Sequence, residues 1–249
     1  MRLSGLLGLC ALFVLGGCFY VDSSDSPPPD VSHKSPRTVG PLLTTGAREV
    51  GAMQASMSVQ SDGKDIKVYA ALLNDTEFLT TDDGDYFTAR IGAETAVLTR
   101  EPSVGNVIHY TASFPVAQGP VDVVIAFVRR NGKTGAPYST VRLPAPFTIT
   151  SAPDHISKTE PVKVTTSAAF VMATVELEGP CIQKLGAQLV GGDKEISFDP
   201  SVIVRTAESC TLQVNVRHWA KGQLDSAFRN GLAIEGLQVR SFNAKLLPQ

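Results

Sequence analysis

Asp82, Asp83 and Asp85, split by Gly84 and with Glu77 close by, form the densest acidic cluster of the chain. Three carboxylates on one tight loop could present oxygens to Ca2+, a cation that prefers many oxygen ligands. The spacing is not that of a helix-loop-helix calcium loop, which closes on a Glu at its last position. Asp and Gly are also the residues that tight turns favour for local backbone reasons, and a solvated turn is the expectation. A second carboxylate pair, Glu176 and Glu178, alternates with Val175 and Leu177. At strand spacing the two lie about 7 Å apart on one face, a separation that a glycosidase pair could use and that the wet face of an edge strand shows as well.

Other chemistry finds little to seed it. His33, His109, His155 and His218 include no pair at i,i+2 or i,i+4, so a zinc site would need distant partners. There is no P-loop, no dinucleotide fingerprint, no helix with paired metalloprotease histidines and no Gly-x-Ser-x-Gly elbow. Trp219 is the one tryptophan, accompanied by Phe228 and Phe242. A sugar platform needs exposed aromatics, whereas a lone Trp in a β domain is expected in the core or as a lid over its end. The sequence assigns no catalytic residue, no cofactor and no metal beyond the acidic-loop candidate.

The cysteines carry the clearest chemistry. Arg2, then an apolar run from Leu6 to Leu15, then Gly16-Gly17 have the layout of a signal peptide over residues 1–17. The run is too short for a stable bilayer span, which needs roughly 20 apolar residues. Leu15-Gly16-Gly17-Cys18 resembles the lipobox of bacterial lipoproteins, a resemblance covering residues 1–18. It implies cleavage before Cys18, a diacylglycerol thioether on its sulfur and a further acyl chain on its amine. Two or three acyl chains hold a protein on a membrane where one does not. Phe19 stands where an Asp often retains Gram-negative lipoproteins at the inner membrane, so the resemblance points to the outer one. The alternative is an ordinary secretory signal, with Cys18 an incidental thiol. Cys10 leaves with the leader, and Cys181 and Cys210 remain. In an exported protein a disulfide is the default for such a pair. Its loop of about 30 residues would contribute about 3–4 kcal/mol in the chain-entropy model. A metal pair or two free thiols are the alternatives, and no His or third Cys lies at ligand spacing around them.

These residues are carried by a tether and a β-rich body. Residues 18–47 run through Ser23, Ser24 and Ser26 to Pro27-Pro28-Pro29, then Pro36 and Pro41, with too little apolar content to bury. Such a linker reads as a spacer with a reach of roughly 90 Å at about 3.1 Å per residue. Net charge is −2 from 22 basic and 24 acidic residues, and −3 once Arg2 is removed. With no run of five like charges and no basic patch, nucleic acid is excluded as a partner.

From Met53 to Val59 apolar and polar residues alternate, and Ser61-Asp62-Gly63 turns the chain toward Ile66, Val68, Ala70 and Leu72. Further strand patterns follow at Tyr86–Ile91, Ala96–Leu98, Ile108–Phe114 and Val121–Val128, then Asn131-Gly132 signals a hairpin. Val141–Leu143 and Phe147–Ile149 close seven or eight strands, the number expected of an immunoglobulin-like sandwich over residues 48–150. A polar break near 150–160 precedes a second such set over 151–249: Val162–Thr166, Met172–Leu177, Ala187–Val190, Glu195–Phe198, Val202–Val204, Cys210–Val216 and Gln238–Phe242. Asp225–Phe228 could add one helical turn. The fold class expected is all-β, two immunoglobulin-like sandwiches behind a leader and a Pro/Ser-rich linker.

Gly84–Ala89, Ala126–Arg130 and Ala136–Ile149, together with Gly222–Ser241, resemble a set of exported bacterial lipoproteins in which one β domain leads into a second, disulfide-bearing one. The resemblance implies architecture and no activity. The reading is a lipid-anchored envelope protein, not an enzyme, with a binding or structural role toward a protein or glycan partner. The alternatives are a tethered hydrolase of envelope polymers, or a subunit of an envelope complex that recruits its partner through an exposed strand edge.

Overall fold

In β1 (Gln54–Ser61) the predicted alternation becomes a half-buried strand, with Ala55, Met57 and Val59 facing inward. At its end the Asp62 carboxylate accepts the Lys64 amide (2.8 Å) and turns the chain into β2 (Asp65–Asn74). The first half continues through β3 (Glu77–Leu79), β4 (Tyr86–Ile91), β5 (Glu94–Val97), β6 (Thr99–Arg100), β7 (Tyr110–Pro115), β8 (Val121–Val128) and β9 (Ala136–Leu143). The second half is β10 (Ile149–Ser151), β11 (His155–Ile156), β12 (Val162–Thr166), β13 (Met172–Glu178), β14 (Leu185–Val190), β15 (Glu195–Phe198), β16 (Cys210–Lys221) and β17 (Ile234–Leu246). The computed structural model describes residues 43–46, 48–82, 84–101, 107–130, 132–157, 159–170, 172–183, 185–190, 193–204, 209–229 and 233–248. The expected leader, Cys18, most of the linker, Asp83 and Asn131 lie outside them.

Strand order gives the architecture. In the first half β1-β2-β7-β6 packs over β5-β4-β8-β9. In immunoglobulin lettering this is A-B-E-D against C′-C-F-G. In the second half β10-β12-β15 packs over β14-β13-β16-β17, or A-B-E against C′-C-F-G, and β11 pairs in parallel with β17. The fold is therefore all-β and immunoglobulin-like in both halves. Each half has its own hydrophobic core. Phe87, Phe127, Ile66 and Leu72 lie in the first; Phe147, Val175, Leu177 and Val214 lie in the second. The bulky aromatics sit where the two sheets of a sandwich meet, with the Phe87 and Phe127 rings 5.0 Å apart.

Several local expectations shift. Residues 202–204 were expected as strand, but Pro200–Val202 is a single 3-10 turn. Asp199 caps it by accepting the Ser201 amide (2.8 Å), and Pro200 has the φ that a helical first turn needs. The polar stretch at 150–160 carries β10 and β11. Asp225–Phe228 makes a turn, not helix, because the Asp225 carboxylate takes the Ala227 amide (2.8 Å). The strand expected at 238–242 is the middle of β17, which has 13 residues.

That extra length joins the halves. β17 pairs in parallel with β1 from Met57–Ile234 to Ser61–Gln238, so the two sheets become one. Just after β16, Gln223 exchanges backbone hydrogen bonds with Thr140 of β9 (2.7 and 2.8 Å). The β16–β17 hairpin thus touches the edge strand of each sheet of the first sandwich and closes its open side. Phe228 and Ile234 enter the first core there. The approach is so close that a Cβ on Gly222 would lie 2.3 Å from the Thr140 carbonyl, and one on Gly236 2.9 Å from that of Arg142. Residues expected in a second domain from 151 onward complete the first core, and Pro41–Gln249 forms a single compact unit.

Candidate functional site

The joined sheet runs β14-β13-β16-β17-β1-β2-β7-β6 and offers one outward face across both sandwiches. Residues opposite the inward set line this face, because side chains alternate along each strand. On β1 and β2 the outward residues Ser56, Ser58 and Ala71 are short, while Tyr69, Phe78 and His109 rise around them. Together they bound a groove of about 530 Å3. His109 is held in place: its Nε2 lies 3.1 Å from Glu101 Oε2, and its ring centroid is 6.3 Å from that of Tyr69. Thr111 donates its hydroxyl to the other Glu101 oxygen (2.8 Å). The Thr111 bond first, then His109, hold the Glu101 carboxyl below its ordinary value.

A second, more polar groove of about 260 Å3 shares Gln60 and Tyr69 with the first and continues it across the β1–β17 seam. Asp62, Lys67, Asn215 and Arg217 line it. The Lys64 amide keeps Asp62 below the usual carboxylate range. The face therefore passes from aromatic and hydroxyl-bearing to charged along its length. Rings offer flat apolar area, hydroxyls and amides fix orientation, and charges add selectivity.

Asp85 is buried with only 7 % of its side chain exposed, and its Oδ2 pairs with Arg129 Nε (3.1 Å). It also accepts the Thr45 hydroxyl (2.7 Å) and the Arg130 amide (3.2 Å). The Asp85 carboxylate is thus engaged by donors of the protein itself, a use that sequence reasoning missed because Arg129 and Thr45 lie far off in the chain. Asp82 contributes its carbonyl to a turn closed by the Asp85 amide (2.9 Å). Asp83 lies outside the described residues. Among the described residues no three His, Cys, Asp or Glu side chains gather as a metal group would require.

Glu176 is drawn to Arg217 of the neighbouring strand (2.9 Å), a diagonal cross-strand pair on the outward face. His155 sits on β11 beside Lys245. His218 meets Phe170 edge-on (5.0 Å), and burial pushes its imidazole below the ordinary value. Trp219 is half-buried on β16 with the Lys221 ammonium 6.0 Å from its ring. Cys181 and Cys210 form a disulfide, Cα atoms 5.8 Å apart, at adjoining ends of β13 and β16. Cys181 is 1 % exposed and belongs to the second core.

No protein-family model matches the sequence, and neither does any curated protein. Among solved structures the chain is similar to a chimeric titin Z1Z2, at 11% identity over 81% of this chain and 99% of that one, with a TM-score of 0.24. It is similar to the full ectodomain of mouse nectin-like molecule 4, at 8% identity over 80% of this chain and 65% of that one, with a TM-score of 0.25. A third is the chicken CNTN1 FN1–FN3 fragment, at 10% identity, 79% and 65% coverage and a TM-score of 0.21. Superpositions this loose leave the fold assignment to the strand order itself.

Proposed function

We propose that the chain is an envelope lipoprotein, acylated at Cys18, that holds a two-sandwich body off the membrane and binds an envelope partner, protein or glycan. The outer membrane of a Gram-negative bacterium is the compartment that the lipobox and Phe19 favour. The role is recognition or scaffolding, not catalysis. The observation that carries the binding reading is the pair of contiguous grooves on the joined sheet face, the larger lined by the first sandwich and the smaller by both sandwiches across the β1–β17 seam.

Two experiments separate the anchor from the binding face. Cys18→Ala should shift the protein out of the detergent phase; equal partitioning of variant and wild type would sink the lipid reading. Affinity capture from the native envelope, with Tyr69→Ala/Phe78→Ala as the matched control, should yield a partner that the control loses. Identical capture by both would move the binding face elsewhere. β14, the last strand in the order of the joined sheet, offers the alternative route of strand addition.

A further inference from the structure

We propose that residues 43–46 and 48 are a locked joint, through which the tether is fixed to one sheet of the first sandwich by a buried ion pair and to the other by backbone hydrogen bonds. The role of the joint rests on the tether reading above; its existence does not. Arg129 follows β8 and its side chain is 0 % exposed. A guanidinium there is tolerable only when its donors are matched. Nε goes to Asp85, Nη1 to the Arg48 carbonyl (2.6 Å) and Nη2 to the Thr45 carbonyl (2.8 Å). Two of the three nitrogens are therefore satisfied by the main chain of the joint. Lys133 adds its ammonium to the Gly46 carbonyl. Thr45 is itself buried; its hydroxyl donates to Asp85 (2.7 Å) and accepts the Asp82 amide (3.0 Å).

Those contacts belong to the β4–β8 sheet. The other sheet holds the same segment through its backbone. Thr44 bridges Thr80 in parallel, with the Thr45 amide on the Thr80 carbonyl (3.0 Å) and the Thr80 amide on the Leu43 carbonyl (2.9 Å). Arg48 reaches Asn74 at the end of β2 (2.9 Å). Peeling the segment away would leave Nη1 and Nη2 of Arg129 without their acceptors and take the Thr45 hydroxyl from Asp85, so it should stay in place while the sandwich is folded. A pull applied at this segment then enters both sheets at once.

Trypsin reads the joint directly, because Arg37, Arg48 and their following bonds are all substrates by sequence. The test uses the full chain as Cys18→Ala, so that acylation plays no part. In the wild-type body the enzyme should cut after Arg37 and spare Arg48. Asp85→Asn should speed cutting after Arg48 by about tenfold or more, since the closed joint then buries the Arg129 guanidinium without its counter-charge and local opening relieves it. Thr45→Val, which removes only a hydroxyl, should give a smaller gain and serves if Asp85→Asn fails to fold. Hydrogen exchange of the Thr45 and Thr80 amides should track the cleavage rates. Cutting after Arg48 as fast as after Arg37 in the unsubstituted body would overturn the joint. Resistance at Arg37 would count against the linker and leave the joint standing.

Discussion

Ile234 lies opposite Met57 in a parallel pair, and both side chains are buried in the first core. The first sandwich therefore borrows part of its interior from a hairpin that otherwise belongs to the second. Ile234→Ala should destabilise the body by about 2–5 kcal/mol, the range for deleting a fully buried aliphatic side chain. A fragment of residues 43–150 lacks Ile234, Phe228 and the partner of the β1 edge. It should show no cooperative denaturant transition. A sharp transition in that fragment would mean that the hairpin only decorates the first sandwich.

The Asp85–Arg129 pair makes an asymmetric prediction. Arg129→Met leaves a buried carboxylate without its cation and should cost about 3–5 kcal/mol. Replacing both partners with apolar residues of similar size should restore part of that loss, because two desolvation penalties disappear together. Denaturant midpoints of the single and double variants check it; a double variant worse than either single one would show that the pair does more than balance charge.

The disulfide closes its loop at the base of the β13–β16 pair. Reduction should lower the stability of the second core by about 3–4 kcal/mol. Because Cys181 is buried, the native protein should resist a mild reductant and yield to it in denaturant. Alkylation of Cys181 and Cys210 before and after mild reduction measures this. Two thiols free at the outset would remove the bridge.

His218 gives an acid-side signature. Burial lowers its folded pKa below the ordinary 6.5, so the imidazole is neutral in the fold at pH 7. Above 6.5 neither state binds the proton and stability is level on this account. As the pH falls below 6.5 the unfolded chain takes up a proton that the fold resists, and stability declines until the folded pKa is passed. His218→Gln should flatten that stretch of the curve. Asp62 and Asp199, also lowered, titrate from an ordinary value of 3.8, so their losses come at lower pH. An unchanged slope between pH 6.5 and 5 in the variant would assign the acid sensitivity elsewhere.

The strand rhythm, the two sandwiches and the Cys181–Cys210 bridge were legible because each rests on local alternation or on a pair of cysteines without competitors. The Val202–Val204 strand misread an Asp-Pro-Ser capping signal as the end of an apolar run. The acidic cluster read as a solvated turn, with a cation site as the alternative; the burial of Asp85 was not legible because its partner Arg129 is 44 positions away. The seam left almost no trace, because a parallel pair has no turn between its members; Gly222 and Gly236 mark only the neighbouring approach to β9. The groove was hidden in the same way, since Ser56 and Ser58 read as ordinary wet-face residues until β2 and β3 set taller side chains around them.

The parallel seam also imposes an order on biosynthesis. β1 leaves the ribosome early, yet its partner on one side is not made until residues 234–238 emerge. Until then the first sandwich has an open edge and a core short of two large side chains, so its native contacts are of long range and slow to form. Such a chain should stay loose until the hairpin is made. Once the late hairpin docks, it converts two half-built modules into one body.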